Sequence, residues 1–376
     1  MVSMHNIFIR ISLSPLMLAK ASTIYWLSSI VGVVLGSNLL PAFGYRRLGM
    51  YMFFQVILIS MLRILLPFDP TILVFFEAAW GFGMSMSATF AVGIWTEYYG
   101  LTHKGRIMSA TLLFATAGTS FQPLQTLVGL RYGAVWVDVV FLVFVMFAFI
   151  LLFLVDKNLG PVGSTAPHEV CQSMKKNLAQ QFRFAKDPVV ILLLGTSVSI
   201  QAWISYLLII SVMPAYIEEM YGIQWLWLLA PIEFFGACGA VLSGIIYKKP
   251  IAVILILYVS IIILSSAFVR ALRTLSVWGV AVLAGMMVFC LRGSISYIGS
   301  YLLGLYKSNQ AVNLMAFWVI LSKFCFAVVR FLSMYVLAPD IAGSIDFSGF
   351  FTFSMLLFLV CTLVAAYGFS LASRKS

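Results

Sequence analysis

The sequence predicts an all-α membrane protein built from two helical bundles. Composition is the first reason, because 62% hydrophobic and 9% charged residues among 376 leave too few polar side chains to cover a water-facing surface. The second reason is a series of apolar runs of roughly 20 residues, the length that crosses about 30 Å of hydrocarbon. The third is that the basic loops repeat along the chain.

The apolar runs fall into two groups. The first group lies near 21–43, 49–67, 71–95, 108–130 and 134–155, and the second near 188–213, 224–247, 251–269, 275–303, 310–337 and 347–372. The polar segment between them contains glycine and proline, which is typical of a linker. We therefore predict a first bundle over residues 1–155, a cytoplasmic linker over 156–187 and a second bundle over 188–376.

Basic residues relate the two groups of spans. The pair Arg46 and Arg47 recurs as Lys248 and Lys249, 202 residues later. An internal repeat of this length is typical of duplicated helical transporters.

The repeat is incomplete at its start. The span at 188–213 has no counterpart ahead of 21–43, which gives eleven transmembrane helices. We expect the first helix of the repeat to be truncated, with residues 7–18 as its remnant.

Most basic residues lie in loops on one side of the predicted membrane. That side holds 14 of the 23, whereas the opposite loops hold only Arg131, Arg270 and Arg273. Because lysine and arginine are enriched on the cytoplasmic side, this side is predicted to be cytoplasmic. The net charge of +11 then follows from topology, so we expect membrane lipids and not nucleic acid as a partner.

Several kinds of chemistry lack a sequence signature. The five cysteines show no close CxxC spacing, so neither a disulfide framework nor a zinc site is expected. There is no phosphate-binding loop for ATP, and no cluster of nucleophile and base that would indicate an enzyme. We expect no cofactor, and any uphill transport must use a gradient, a co-transported ion or an exchanged solute.

Ionisable residues inside the spans are the candidates for function, because each costs several kcal/mol if it faces lipid. They are Arg63, Glu77, Glu233, Arg292, Lys323 and Arg330. Arg63 lies close enough to the outer boundary to snorkel, and we expect a structural role for it.

Three cations are predicted to converge in the second bundle. Lys323 and Arg330 are seven residues apart and share one helix face, and Arg292 lies deep in the span at 275–303. Desolvated cations of this kind pair strongly with carboxylate or phosphate, which favours an anionic substrate. The alternative is internal pairing with Glu77 or Glu233.

Polar residues in the first bundle are predicted to line a cavity. Glu77, Trp80 and Ser87 share one helical face that could hold a flat ring or a cation. Thr119 and Gln122 form a polar stripe in the span at 108–130. Ordinary helix packing is the alternative for both sets.

Glu233 is predicted to couple or gate transport. It either carries a proton or forms a gate by pairing with Arg292 or Lys323. The small residues that follow it, from Gly236 to Gly244, predict close packing against another helix.

The plan of two bundles, a long central loop and repeated basic loops resembles the major facilitator superfamily. Residues 43–49 carry the glycine and arginine pattern of its loop signature but lack the acidic residue. The resemblance implies a two-bundle fold, alternating access and a gating role for Arg46 and Arg47.

Within that superfamily, several segments are similar to the reduced folate and thiamine carriers. Leu291 to Ser294 resembles their Phe-Arg-Gly-Ser, Arg330 stands where folate carriers place a substrate-contacting lysine, and Glu77 falls at an acidic position of their fourth helix. Ser87 departs from both, since folate carriers have arginine and thiamine carriers glutamate there.

This resemblance implies secondary active transport of a small organic solute, either reduced folate in exchange for another anion or thiamine. The alternatives are another organic-ion or nutrient transporter of the same superfamily, or a non-transporting membrane sensor. We expect a multi-pass integral membrane protein, and favour the plasma membrane over an organelle membrane.

Overall fold

The computed structural model describes much of the chain. The described residues are 15–66, 72, 74–86, 106, 109, 128–129, 131–155, 188–208, 212–246, 252–271, 274–304, 317–328 and 347–373. Within them every regular element is a helix, which confirms the all-α prediction.

The helices are numbered in chain order. In the first half they are α1 (Pro15–Leu65), α2 (74–86) and α3 (Ala134–Val155). In the second half they are α4 (Pro188–Leu207), α5 (Met213–Tyr221), a 3₁₀ turn (Ile223–Leu228), α6 (Leu229–Ile246), α7 (Ala252–Ala271), α8 (Val277–Gly304), α9 (317–328) and α10 (Phe347–Ser373). Both α1 and α4 begin at a proline, whose fixed φ and missing N–H suit the first turn of a helix.

Helix α1 turns back on itself to form two arms. A Cβ added at Gly32 would lie 2.2 Å from the Phe82 carbonyl oxygen, and one at Gly83 would lie 3.5 Å from Val56. Phe82 and Gly83 are neighbours, whereas a straight helix would hold Gly32 and Val56 about 36 Å apart. The arms therefore lie side by side and correspond to the predicted spans at 21–43 and 49–67.

Helix α2 packs against both arms of α1. Ser29 in the first arm donates a hydrogen bond to the Gly81 carbonyl at 3.1 Å. Glu77 lies opposite Arg63 and Gly83 lies opposite Val56, so α2 runs antiparallel to the second arm. This alternation of direction is what consecutive membrane spans require.

Nine apolar helical segments are described. Four of these are long enough to cross a membrane, namely Arg47–Leu65, Ile223–Ile245, Val277–Leu303 and Phe351–Ala372. The shorter apolar helices are Thr23–Leu39, Val135–Leu151, Val189–Ser205, Ile256–Arg270 and Phe317–Val328. The count of eleven transmembrane helices is not confirmed, and the linker at 156–187 lies outside the described residues.

Helix α8 is central to the second half, where it packs against α4, α6 and α7. Its closest neighbour is α6, because a Cβ at Gly239 would lie 2.2 Å from the Phe289 carbonyl oxygen. Gly293 on α8 is also enclosed, with Ser243 Oγ 2.8 Å and the Gly239 carbonyl oxygen 3.4 Å from its Cβ position. The small residues after Glu233 thus bring two backbones together, which confirms the predicted packing ridge.

Gly239→Ala is expected to destabilise the protein, although alanine is the better helix former by about 1 kcal/mol. The new methyl group would meet the backbone of Phe289, so the helices must separate, at a cost of about 1–3 kcal/mol. Gly83→Ala is the matched control, because its Cβ would have ordinary contacts at 3.4–3.5 Å. Thermal unfolding in detergent should show a lower Tm for Gly239→Ala alone; equal melting of the two variants would contradict the close packing.

Candidate functional site

Lys323 lies against aromatic rings where the two halves of the chain meet. Its Nζ atom is 4.4 Å from the ring centroid of Trp26 on α1 and 6.0 Å from that of Phe326 on its own helix. The rings of Trp26 and Phe326 are themselves in contact, with centroids 4.7 Å apart. Helix α9 places Lys323 and Phe326 on one face because they are three residues apart.

The aromatic contacts compensate the charge of Lys323 only in part. A cation on an aromatic face gains about 0.5–2 kcal/mol, whereas a charge at the membrane centre costs about 3 kcal/mol or more. Among the residues that the structure describes, no carboxylate lies within ion-pair distance of Lys323. Lys323 as a residue is half-buried, and its charge is suited to attract an anion that enters between the halves.

Arg292 is paired with Glu233. The Nη2 atom of Arg292 is 3.8 Å from Oε1 of Glu233, and the two side chains are 12% and 1% exposed. The stem of Arg292 packs on Gly236, whose Cβ position lies 3.1 Å from the arginine Cγ. The pair is neutral overall, so this carboxylate already compensates the arginine.

A second cluster of charges lies in the first half. The Nη1 atom of Arg63 is 3.8 Å from Oε1 of Glu77, and its Nε atom is 3.4 Å from Oδ1 of Asp138. Its guanidinium also stacks on Trp80, 4.6 Å from the ring centroid, and Trp80 in turn contacts Phe141. We call Arg63, Glu77 and Asp138 the first-half ion cluster.

The first-half ion cluster corrects the expectation for Arg63. That side chain is only 4% exposed, so it does not snorkel to the boundary, because two carboxylates hold it inside the bundle. Asp138 was not among the predicted site residues. It is the only ionisable residue in the apolar run at 134–155, which is the signal that could have identified it.

A buried polar network joins α4, α7, α8 and α10. Ser294 donates to Oε1 of Gln201 at 2.5 Å, and the amide of Gln201 donates to the hydroxyl of Tyr258. Ser197 contacts the same hydroxyl at 2.8 Å and donates to the Cys361 carbonyl at 3.0 Å. Through Ser294, the network holds α8 in place two residues after Arg292. The spacing of apolar residues in the sequence gave no indication of this network.

Several predicted site residues lie outside the described residues. These are Ser87, Thr119, Gln122 and Arg330. The backbone of Arg46 is part of α1 but its side chain is not described, and Arg47 is exposed. The convergence of Arg292, Lys323 and Arg330 therefore stays a prediction.

Metal and redox sites are not found in the described part of the chain. It contains no group of three or more histidine, cysteine, aspartate or glutamate side chains placed to hold a metal ion. The four described cysteines are free thiols, at Cys238, Cys290, Cys325 and Cys361.

Comparison with known proteins gives the family and the fold. The family model described as Major Facilitator Superfamily matches residues 2–318. The human organic anion transporter MFSD10 (TETRAN) has a similar solved structure, with a TM-score of 0.66 and 14% sequence identity, over 92% of this chain and 83% of that chain. At this identity the similarity shows the fold alone. No curated protein sequence gave a match.

Proposed function

The chain belongs to the Major Facilitator Superfamily, and from this we propose that it is a secondary active transporter that carries a small organic anion by alternating access. The family match and the apolar helices make it an integral membrane protein. Members of this superfamily are transporters, so the substrate and the residues that bind it are the questions that remain.

Lys323 carries the proposal of an anionic substrate. Its charge lies between α1 of the first half and α9 of the second, where a transported solute would contact both bundles. In the described part of the membrane domain, two other cations, Arg63 and Arg292, are close to carboxylates. An anion that binds Lys323 would gain a charge-assisted hydrogen bond in a site of low dielectric.

Two contacts between the halves are candidates for the gates that alternating access requires. Trp26 packs on Phe326, and Ser109 donates a hydrogen bond to the Ala240 carbonyl at 3.0 Å. By the predicted topology, the first contact lies toward the outer side and the second toward the cytoplasm. We propose that each contact opens in turn, and that Arg46 and Arg47 contribute to the cytoplasmic gate.

Reduced folate is the first substrate to test. A carboxylate of such a molecule would pair with Lys323, and a flat ring would stack on an aromatic face such as Trp26. Arg292 and Arg330 are proposed to assist if Glu233 exchanges partners during the cycle, and Thr119 and Gln122 to line the cavity. MFSD10, which has a similar fold, is named as an organic anion transporter, and this is consistent with an anionic substrate.

An organic cation such as thiamine is the second candidate. The observation in its favour is that the first-half ion cluster has two carboxylates against one arginine, with Trp80 beside them. Its weakness is that Glu77 and Glu233 both already face arginines. An anion therefore fits the described charges better.

Uptake by vesicles that contain the purified full-length chain separates these proposals. Labelled reduced folate and labelled thiamine are offered in parallel, with protein-free vesicles as the control. We expect saturable folate uptake that increases when the vesicles are loaded with an organic anion. Uptake of thiamine alone would replace the proposed anionic substrate with an organic cation. If neither vitamin nor any other organic ion is taken up, the non-transporting sensor is favoured.

A further inference from the structure

Three buried hydroxyl groups in the second half have no hydrogen-bond partner among the described residues. They belong to Ser205 on α4, Ser265 on α7 and Ser354 on α10. Their exposures are 0%, 0% and 2%. A serine inside a helix usually bonds the carbonyl one turn earlier, as Ser266 does to Ile262. Because a buried hydroxyl without a partner is unfavourable, the three exceptions require an explanation.

Two contacts fix the register between α7 and α10, which pack against each other. Toward one end, the rings of Phe268 and Phe351 are in contact, with centroids 4.5 Å apart. Toward the other end, Ser197 lies 2.8 Å from the Tyr258 hydroxyl and donates to the Cys361 carbonyl at 3.0 Å. Ten residues separate the two contacts on each helix. The helices therefore run antiparallel and stay in step between the contacts.

This register places Ser265 opposite Ser354. Ser265 lies three residues before Phe268, and Ser354 lies three residues after Phe351. A spacing of three residues keeps each serine on the same helix face as its neighbouring ring. Both hydroxyls thus lie at one depth, on the faces that α7 and α10 turn toward each other.

Ser205 brings a third hydroxyl to the same depth from α4, which also packs against α10. Ser197 and Gln201 on α4 both contact the Tyr258 hydroxyl. Ser205 follows them on the same face, about 6 and 12 Å further along the helix. Ser265 follows Tyr258 by about 10 Å on α7. The three serines therefore meet one to two helical turns beyond the buried polar network.

The surroundings of the three hydroxyls suit a neutral polar ligand. Ile261, Phe268, Phe351 and Phe358 lie within one turn of Ser265 or Ser354 and belong to one buried apolar cluster. A buried water molecule makes about three hydrogen bonds to polar groups that lack other partners. Three serine hydroxyls supply that number, and each can donate or accept. They carry no negative charge, so they would not compensate a cation.

We propose that Ser205, Ser265 and Ser354 bind one internal water molecule, which bridges α4, α7 and α10. The water joins these helices at a second level, beyond the network of Gln201 and Tyr258. This site does not depend on the proposed transport function, because it lies within the second half and uses none of the charged residues.

Hydroxyl-radical labelling by X-rays tests for the water in the purified full-length protein in lipid. A bound water releases radicals that hydroxylate the side chains beside it, even where bulk solvent is excluded. Phe268 and Phe351 are both 0% exposed, so we expect mass spectrometry to find them hydroxylated. Ser265→Ala combined with Ser354→Ala should abolish this labelling, because an apolar cavity stays dry.

Phe369 is the matched control for the labelling. It is 2% exposed and lies on α10 about 22 Å from Ser354, so it should stay unlabelled. Labelling of Phe369 equal to that of Phe268 and Phe351 would indicate general access of radicals and would overturn the site. Wild-type protein without labelled Phe268 and Phe351, or labelling that persists in the double variant, would also overturn it.

Thermal unfolding tests the shared ligand by a second route. Ser265→Ala and Ser205→Ala should each lower the Tm, and together they should lower it by less than the sum, because both lose the same water. Ser266→Ala is the control: its hydroxyl donates to Ile262, so its effect should add to that of Ser205→Ala. Additive effects of Ser205→Ala and Ser265→Ala would contradict a shared water. A Tm raised by sodium chloride but not by choline chloride would assign the site to a cation instead.

Discussion

Arg292→Met is expected to lower the free energy of unfolding by about 3–5 kcal/mol, because it removes the cation that faces the buried carboxylate of Glu233. Glu233 is only 1% exposed and lies 3.8 Å from Arg292. Adding Glu233→Gln removes the buried negative charge as well and should recover most of the loss. Thermal or denaturant unfolding of the two variants in detergent measures this recovery.

The double variant is the control that gives the Arg292 experiment its meaning. Loss of uptake in Arg292→Met alone would not assign a substrate contact, since the protein itself is weakened. If the stabilised double variant still fails to transport, Arg292 or Glu233 has a role beyond folding. A double variant that is no more stable than Arg292→Met would contradict the pairing.

Lys323→Gln is expected to reduce anion uptake by at least about tenfold, because a hydrogen bond to a charged group contributes about 1.5–3 kcal/mol. Folding should be retained or improved, since the described residues offer Lys323 no carboxylate to be left behind. Lys323→Arg should keep partial activity if charge dominates. Initial uptake rates at several substrate concentrations measure the effect on affinity.

A matched control for Lys323 is Arg131→Gln, which removes an exposed cation outside the site. Both variants lower the net charge equally, so a general electrostatic effect would reduce uptake in both. Wild-type affinity in Lys323→Gln would refute its role as the anion site.

The fold was largely predictable from the sequence because the bilayer imposes a simple rule on composition and on the length of spans. The apolar runs identified the two arms of α1, although both arms belong to one element, Pro15–Leu65, that reverses direction between them. The small residues from Gly236 to Gly244 likewise identified the face that packs on α8. Each of these signals lies within a single stretch of sequence.

The arrangement of charges was less predictable because it depends on which helices are neighbours. Pairing of Glu233 with Arg292 was one of the predicted alternatives and is observed, whereas the pairing of Glu77 with Arg63 was not predicted. Asp138 was overlooked because it follows closely after the start of its apolar run, where a charge could still reach water. The network of Gln201 and Tyr258 joins helices that are far apart in sequence, and such contacts leave no periodic signal.

The most direct test of the account is counterflow in vesicles that contain the purified protein. Vesicles are loaded with unlabelled reduced folate, diluted, and given a trace of labelled reduced folate outside. An alternating-access anion carrier should accumulate the label transiently above its equilibrium level, and Lys323→Gln should abolish the overshoot. Equilibration without an overshoot, at the same rate as in protein-free vesicles, for folate and for a panel of other organic anions would contradict the account.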